Sequence, residues 1–194
     1  MFGYLEGKLI GLSPTHTYLD VGGVGYDVQL TLQTFEVISG KEKCLLFTHL
    51  QVREDAWVLY GFATEKEREA FRQLLSVSGV GAATARRLLS SLSSADLARI
   101  VGNGDSKALE KVKGIGTKTA QRIILELKGK LPEVIPGEIN TLPHNTKEND
   151  TLNALLGLGI GKSIAEAAVK KARTIAGNED ISVEEWIKSA LKNL

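Results

Sequence analysis

Two short strings in this chain have the residue types and spacing to do chemistry: Ser78-Gly79-Val80-Gly81 and Lys113-Gly114-Ile115-Gly116, with Gly79 and Gly114 thirty-five residues apart. Apolar residues lead into each, Leu74, Leu75 and Val77 into the first and Leu109 and Val112 into the second. Beyond them, Ala85, Leu88 and Leu89 in one copy and Ala120, Ile123, Ile124 and Leu127 in the other fall at helical spacing. Glycine tolerates positive φ and carries no Cβ, so one helix can stop and another start within a few residues. The second helix then opens with unpaired amides and the positive end of its dipole, which suits a phosphate oxygen. The expected chemistry is a backbone-amide grip on phosphates by Gly79, Val80 and Gly81 and, separately, by Gly114, Ile115 and Gly116. The bland alternative is a pair of ordinary helical turns with glycine. It is disfavoured because the glycines and both flanking apolar faces recur together.

Charge supports the same reading. The whole chain has a formal net charge of only +1, but residues 64–131 carry 13 Lys and Arg against 7 Asp and Glu. Residues 1–63 are net −3 and residues 132–194 net −2. The positive excess sits in the segment that holds both strings. A local basic patch matters more for binding a polyanion than the overall pI does.

Other chemistries find little support. His16, His49 and His144 are scattered and Cys44 is the single cysteine, so neither metal-ligand spacing nor a disulfide framework is present. No cofactor or metal is expected. Gly157-Leu158-Gly159-Ile160-Gly161-Lys162-Ser163 tempts a phosphate-loop reading, but Leu156 stands where that loop needs its first glycine, and the residues before it look helical. A turn between helices is the better expectation. No Ser/His/Asp set or carboxylate cluster points to catalysis. No apolar run is long enough for a membrane span and no signal peptide is evident, so a cytoplasmic protein without a membrane partner is expected. Glu54 and Asp55 are the exception among the acidic residues. They lie between two strand-like runs, on an exposed turn, where carboxylates would repel phosphates and could keep strands apart; a merely solvated turn is the alternative.

The elements that must position these residues are legible in outline. Residues 1–63 read as five or six short strands, as in GYLEGKLIG, TYLDV, YDVQL and CLLFTHL, which suits a small barrel of OB type. From Thr64 the period becomes helical; Thr64 with Glu67 resembles a capping box, and Ser93, Ser94 and Asp105 are candidate caps. Residues 132–150 hold three of the four prolines and read as a flexible linker. Residues 151–194 are again helical and small enough to serve as a docking module, with Asp180 or Ser182 capping the last helix. The expected class is a multidomain α+β protein: an OB-fold barrel, a helical domain with two hairpins over 64–131, and a three-helix bundle.

The two strings resemble the helix-hairpin-helix motif. The whole chain resembles the RuvA family, DNA-binding subunits of the bacterial Holliday junction branch-migration complex. The likeness lies in GYLEGKLIG, VREDAWVLYGF, SGVGAATA, KGIGTKTAQRIILELK and ALLGLGIGKSIAEAAVKKA. It implies a non-catalytic homotetramer, or two tetramers face to face, that holds a four-way junction open and planar. It implies phosphate binding at both hairpins, with Lys118 and Arg122 as basic residues of the second. Glu54 and Asp55 would form an acidic pin at the crossover. The last domain would dock the motor ATPase RuvB, with Leu152, Leu155, Leu156 and Leu158 as candidate contacts, and the RuvC resolvase would be a further partner. Many relatives carry a lysine just after the first hairpin, where this chain has Ala82 and Ala83; Arg86 or Arg87 would then replace it. A DNA-repair enzyme that uses the hairpins only for grip and a generic DNA-binding module are the rival readings. The first lacks a catalytic Asp or Lys after the hairpin, and the second would want more than the 6% aromatics present.

Overall fold

The computed structural model describes residues 2–131, 147–176 and 182–192. The chain divides into two compact units, Met1–Ile135 and Pro136–Leu194.

The first unit begins with a closed five-stranded barrel of OB type. Its strands are β1 (Tyr4–Ile10), β2 (His16–Val21), β3 (Val24–Leu30), β4 (Lys43–Val52) and β5 (Trp57–Phe62), in the order β1-β2-β3-β5-β4. All neighbours are antiparallel except β3 with β5. Leu5, Leu19, Val28, Leu30, Leu46 and Leu59 fill the interior, the inward half of strands whose side chains alternate. One element was not anticipated. Helix α1 (Leu32–Ile38) connects β3 to β4, capped by the Thr31 hydroxyl, which accepts the Thr34 amide at 3.0 Å. It turns Thr34 and Ile38 inward at helical spacing, so this stretch carries none of the two-residue alternation that marks the strands.

Five helices follow: α2 (Glu65–Leu75), α3 (Ala82–Ser91), α4 (Ser94–Asn103), α5 (Ser106–Glu110) and α6 (Thr117–Leu127). Ser93 caps α4 through the Asp96 amide and Asp105 caps α5 through the Ala108 amide. Thr64 caps α2 through the Glu67 amide at 3.2 Å. The Glu67 carboxylate does not complete a capping box, because it is drawn instead to the hydroxyls of Thr31 and Thr34. A single apolar core runs from the end of the barrel into the helices. The Phe71 ring lies 4.9 Å from Phe62, 5.0 Å from Tyr60 and 5.4 Å from His49. Burying one large ring among β-strand aromatics fixes the helices on the barrel.

The second unit contains α7 (Lys147–Gly157), α8 (Lys162–Ala176) and α9 (Val183–Lys192) around Leu155, Ala165, Ala168, Val169, Ala172, Trp186 and Ala190. Helix α7 begins at Lys147, inside the stretch assigned to the linker; the rest of that stretch lies outside the described residues, as does Asp180. Ser182 caps α9, accepting the Glu185 amide at 3.3 Å while the Glu185 carboxylate accepts from the Ser182 amide at 3.0 Å. The string Gly157–Ser163 spans the end of α7, a connection over residues 158–161 and the start of α8, with helix rather than strand before it.

Candidate nucleic-acid interface

The two glycine strings share three backbone bonds at equivalent positions. The Val77 amide donates to Leu74 O at 3.1 Å and the Val112 amide to Leu109 O at 3.0 Å. The Val80 amide donates to Val77 O and the Ile115 amide to Val112 O, both at 3.0 Å. The Ala85 amide donates to Gly81 O and the Ala120 amide to Gly116 O, both at 2.9 Å. Gly79 has φ +85° and Gly114 φ +90°, a conformation that costs a residue with a Cβ. Gly81 and Gly116 sit in extended conformation, at φ −90° and −89°, as the caps of α3 and α6.

This geometry corrects the sequence expectation in two ways. Val80 and Ile115 do not offer amides to a ligand, since both are spent within the turn. Their side chains are buried in the helical core, so their role is to anchor each hairpin. The second glycine of each string is likewise not required for its φ. Gly81 and Gly116 have open space where a Cβ would stand, and what they supply is a bare backbone at the surface. Among the described residues, the amides of Gly79, Gly81, Gly114 and Gly116 have no protein acceptor. With the first-turn amides of α3 and α6 they form two outward-facing donor sets.

Side chains complete the surface. Lys118 is exposed in the first turn of α6. Arg122 is exposed one turn further on, and its Nη1 donates to Ser78 O at 3.0 Å and to Ser78 Oγ at 3.3 Å. It therefore stands at the first hairpin although it belongs to the second. Arg86 is directed elsewhere: its Nη1 donates to Gln29 Oε1 at 2.7 Å, tying α3 to strand β3 of the barrel. Arg87 is the arginine near a hairpin, and that hairpin is the second. Sequence reasoning could weigh Arg86 against Arg87 but had no signal for this direction.

Glu54 and Asp55 occupy the tip of the β4–β5 turn, which the Arg53 amide closes on Ala56 O at 2.9 Å. Both are exposed, and Asp55 lies 3.3 Å from Arg53. At the foot of the turn, Val52 pairs with Trp57, and Trp57 is 77% exposed. Sequence reading passed over this tryptophan because strand alternation does not say which face is covered.

In the second unit the four leucines separate. Leu155 is fully buried at the centre of the bundle, and Leu152 packs partly against the same core. Leu155 is therefore removed from the candidate docking contacts, since a side chain facing its own core cannot meet a partner. Leu156 and Leu158 are exposed. Among the described residues no group of His, Cys, Asp or Glu could hold a metal, and no helix is long and apolar enough to cross a membrane.

Comparison with known proteins accounts for all three parts. Residues 1–61 match the RuvA N-terminal domain, residues 71–130 the SAM-like helix-hairpin-helix tandem, and residues 146–194 the RuvA C-terminal domain. Full-length relatives include a protein of Methylibium petroleiphilum at 46% identity, covering 100% of this chain and 99% of the relative. Another, from Chromobacterium violaceum, is 43% identical and covers 100% and 98%. A third, from Christiangramia forsetii, is 42% identical over the whole of both. All three are named Holliday junction branch migration complex subunit RuvA. Barrel, paired hairpins and terminal helical unit thus match in one order along the full length, and the chain belongs to the RuvA family.

Proposed function

We propose that this protein binds four-way junction DNA through its phosphates and holds it open for branch migration, as a non-catalytic subunit of a larger complex. The observation that carries this reading is the equivalence of the two hairpins. Each presents free amides at a helix start, and both lie on the one segment with a large positive excess. Amide and guanidinium contacts to phosphate carry no base information, so the reading is of a protein that selects DNA by shape.

Two hairpins per chain suit a multivalent grip, and a homotetramer places a pair on each arm of a junction; one tetramer or two face to face satisfy the same contacts. In such a ring the tips bearing Glu54 and Asp55 meet at the crossover and repel its phosphates. The C-terminal unit docks the motor ATPase RuvB through exposed residues such as Leu156 and Leu158, and where a single tetramer is bound the open face of the junction is left to the RuvC resolvase. ATP is consumed by the motor, in the cytoplasm.

The deciding experiment compares affinity for a four-way junction with that for a linear duplex of equal length at one salt concentration. Tighter junction binding, independent of sequence, is expected. Equal affinity would overturn the reading.

A further inference from the structure

Arg87 and Arg122 are equivalent residues of the two repeats, each eight positions after its positive-φ glycine. Each reaches the hairpin of the other repeat. Arg122 Nη1 bonds Ser78, and a Cβ placed on Gly79 would stand 3.5 Å from the same nitrogen. The Arg87 guanidinium lies against Gly114, where a Cβ would stand 2.6 Å from Nη1, 3.2 Å from Cζ and 3.4 Å from Nη2. Its Nε donates to Ala83 O at 3.3 Å and its Nη2 to Thr84 Oγ1 at 3.5 Å, which leaves Nη1 at the second hairpin without an acceptor among the described residues.

The electrostatics of the two positions differ. Arg122 has Glu126 Oε1 at 4.0 Å from its Nε. Arg87 is exposed and has no carboxylate partner among the described residues, yet it is held against a hairpin that carries Lys113 and Lys118. The nearby acidic group, Glu110, accepts from Thr117 Oγ1 at 3.0 Å. Arg87, Lys113 and Lys118 outnumber that one carboxylate, whose charge the hydroxyl bond leaves in place, so the second hairpin favours an anion. A guanidinium fork is suited to a phosphate, which accepts two parallel N–H bonds.

Resting on the nucleic-acid reading above, we propose that the two phosphate sites are built crosswise. Arg87 of the first repeat completes the site at Gly114–Gly116, and Arg122 of the second completes the site at Gly79–Gly81. The first site thereby gains the charge that Ala83, the position equivalent to Lys118, does not provide. Each site combines amides from one repeat with a guanidinium from the other, so the spacing of the two held phosphates is set by one rigid unit rather than by two independent grips.

The test uses the full-length chain, with binding measured on junction and on duplex over a series of salt concentrations. Arg87→Ala should weaken binding by about tenfold or more and lower the salt slope by about one per bound subunit. The unfolding temperature should not change. Arg87→Lys, which keeps the charge, should retain most of the slope. Arg87→Ala combined with Lys118→Ala should depart from the product of the single losses by more than about a factor of two, as groups sharing one phosphate do. An unchanged slope for Arg87→Ala, a loss that follows a fall in unfolding temperature, or losses that simply multiply would each overturn the crossed arrangement. Because the slope is also read on duplex, a wild-type protein without junction preference would refute the junction reading while the Arg87 assignment is still decided by its own slope.

Discussion

The Thr34 hydroxyl donates to Glu67 Oε2 at 2.8 Å while it accepts the Ala63 amide at 2.9 Å, so one buried side chain links the barrel's helix α1 to the first turn of α2. Thr31 is used in the same way, accepting from the Thr34 amide and donating to the other Glu67 oxygen. Both hydroxyls spend their proton on Glu67, which must therefore accept twice. The knot sits where the DNA-directed helices join the barrel, and it contributes to the rigidity of the whole first unit.

Burial pushes the Glu67 carboxyl above its ordinary 4.5, against the opposing pull of the Thr31, Thr34 and Ala63 donors. A raised acid binds its proton more readily in the folded state than in the unfolded one. Stability is therefore expected to fall as pH rises from about 4.5 through the folded value. Glu67→Gln should abolish that part of the pH dependence. It should also cost about 1–3 kcal/mol, because one hydroxyl then faces an amide NH2 in place of an acceptor. Urea denaturation at pH values on either side of 4.5 measures both effects.

The two glycines of a hairpin should respond differently to alanine. Gly79→Ala forces a side chain into φ +85° and should destabilise the first unit by roughly 1–2 kcal/mol. Gly81→Ala meets neither strain nor a neighbour and should leave stability unchanged. If phosphate comes up against the Gly81 backbone, the same substitution should still weaken DNA binding. Thermal unfolding and binding, measured on both variants, separate the two roles.

Lys118→Ala should weaken binding to every DNA sequence about equally and make the salt dependence shallower by about one phosphate contact per subunit. A sequence-dependent loss would point to a base contact instead. Titration of several unrelated junctions at two salt concentrations distinguishes these outcomes.

Neutralising the turn, Glu54→Gln with Asp55→Asn, removes negative charge from an exposed tip beside Trp57. Duplex affinity should rise as repulsion is relieved, and the ratio of junction to duplex affinity should fall, since the repulsive element supplies part of the selectivity. An unchanged ratio at fixed salt would remove the pin role and leave the hairpins as they are.

Deleting residues 136–194, a compact unit with its own core, should leave junction affinity intact and abolish stimulation of the motor ATPase. Alanine at Leu158, which is exposed, should reduce that stimulation without unfolding the unit, whereas alanine at buried Leu155 should unfold it. Circular dichroism with an ATPase assay separates surface from core.

By itself the sequence determined what local rules can determine. The glycine strings with their flanking apolar faces specify two tight helical turns, because positive φ and helical periodicity are properties of a few adjacent residues. The strands of residues 1–63 and the caps at Thr64, Ser93, Asp105 and Ser182 are readable for the same reason. Helix α1 escaped because its seven residues show one inward pair and no alternation. Only the tertiary structure decided which hairpin amides are free, since Val80 and Ile115 lose theirs to carbonyls that the turn geometry brings to 3.0 Å. It alone sent Arg86 to Gln29, Arg87 to Gly114, Arg122 to Ser78, and the Glu67 carboxylate to two threonines from more than thirty residues earlier in the chain. A long side chain's partner depends on which element packs against its own, and that is set by the shared core around Phe71 and the paired repeats, not by its neighbours in sequence.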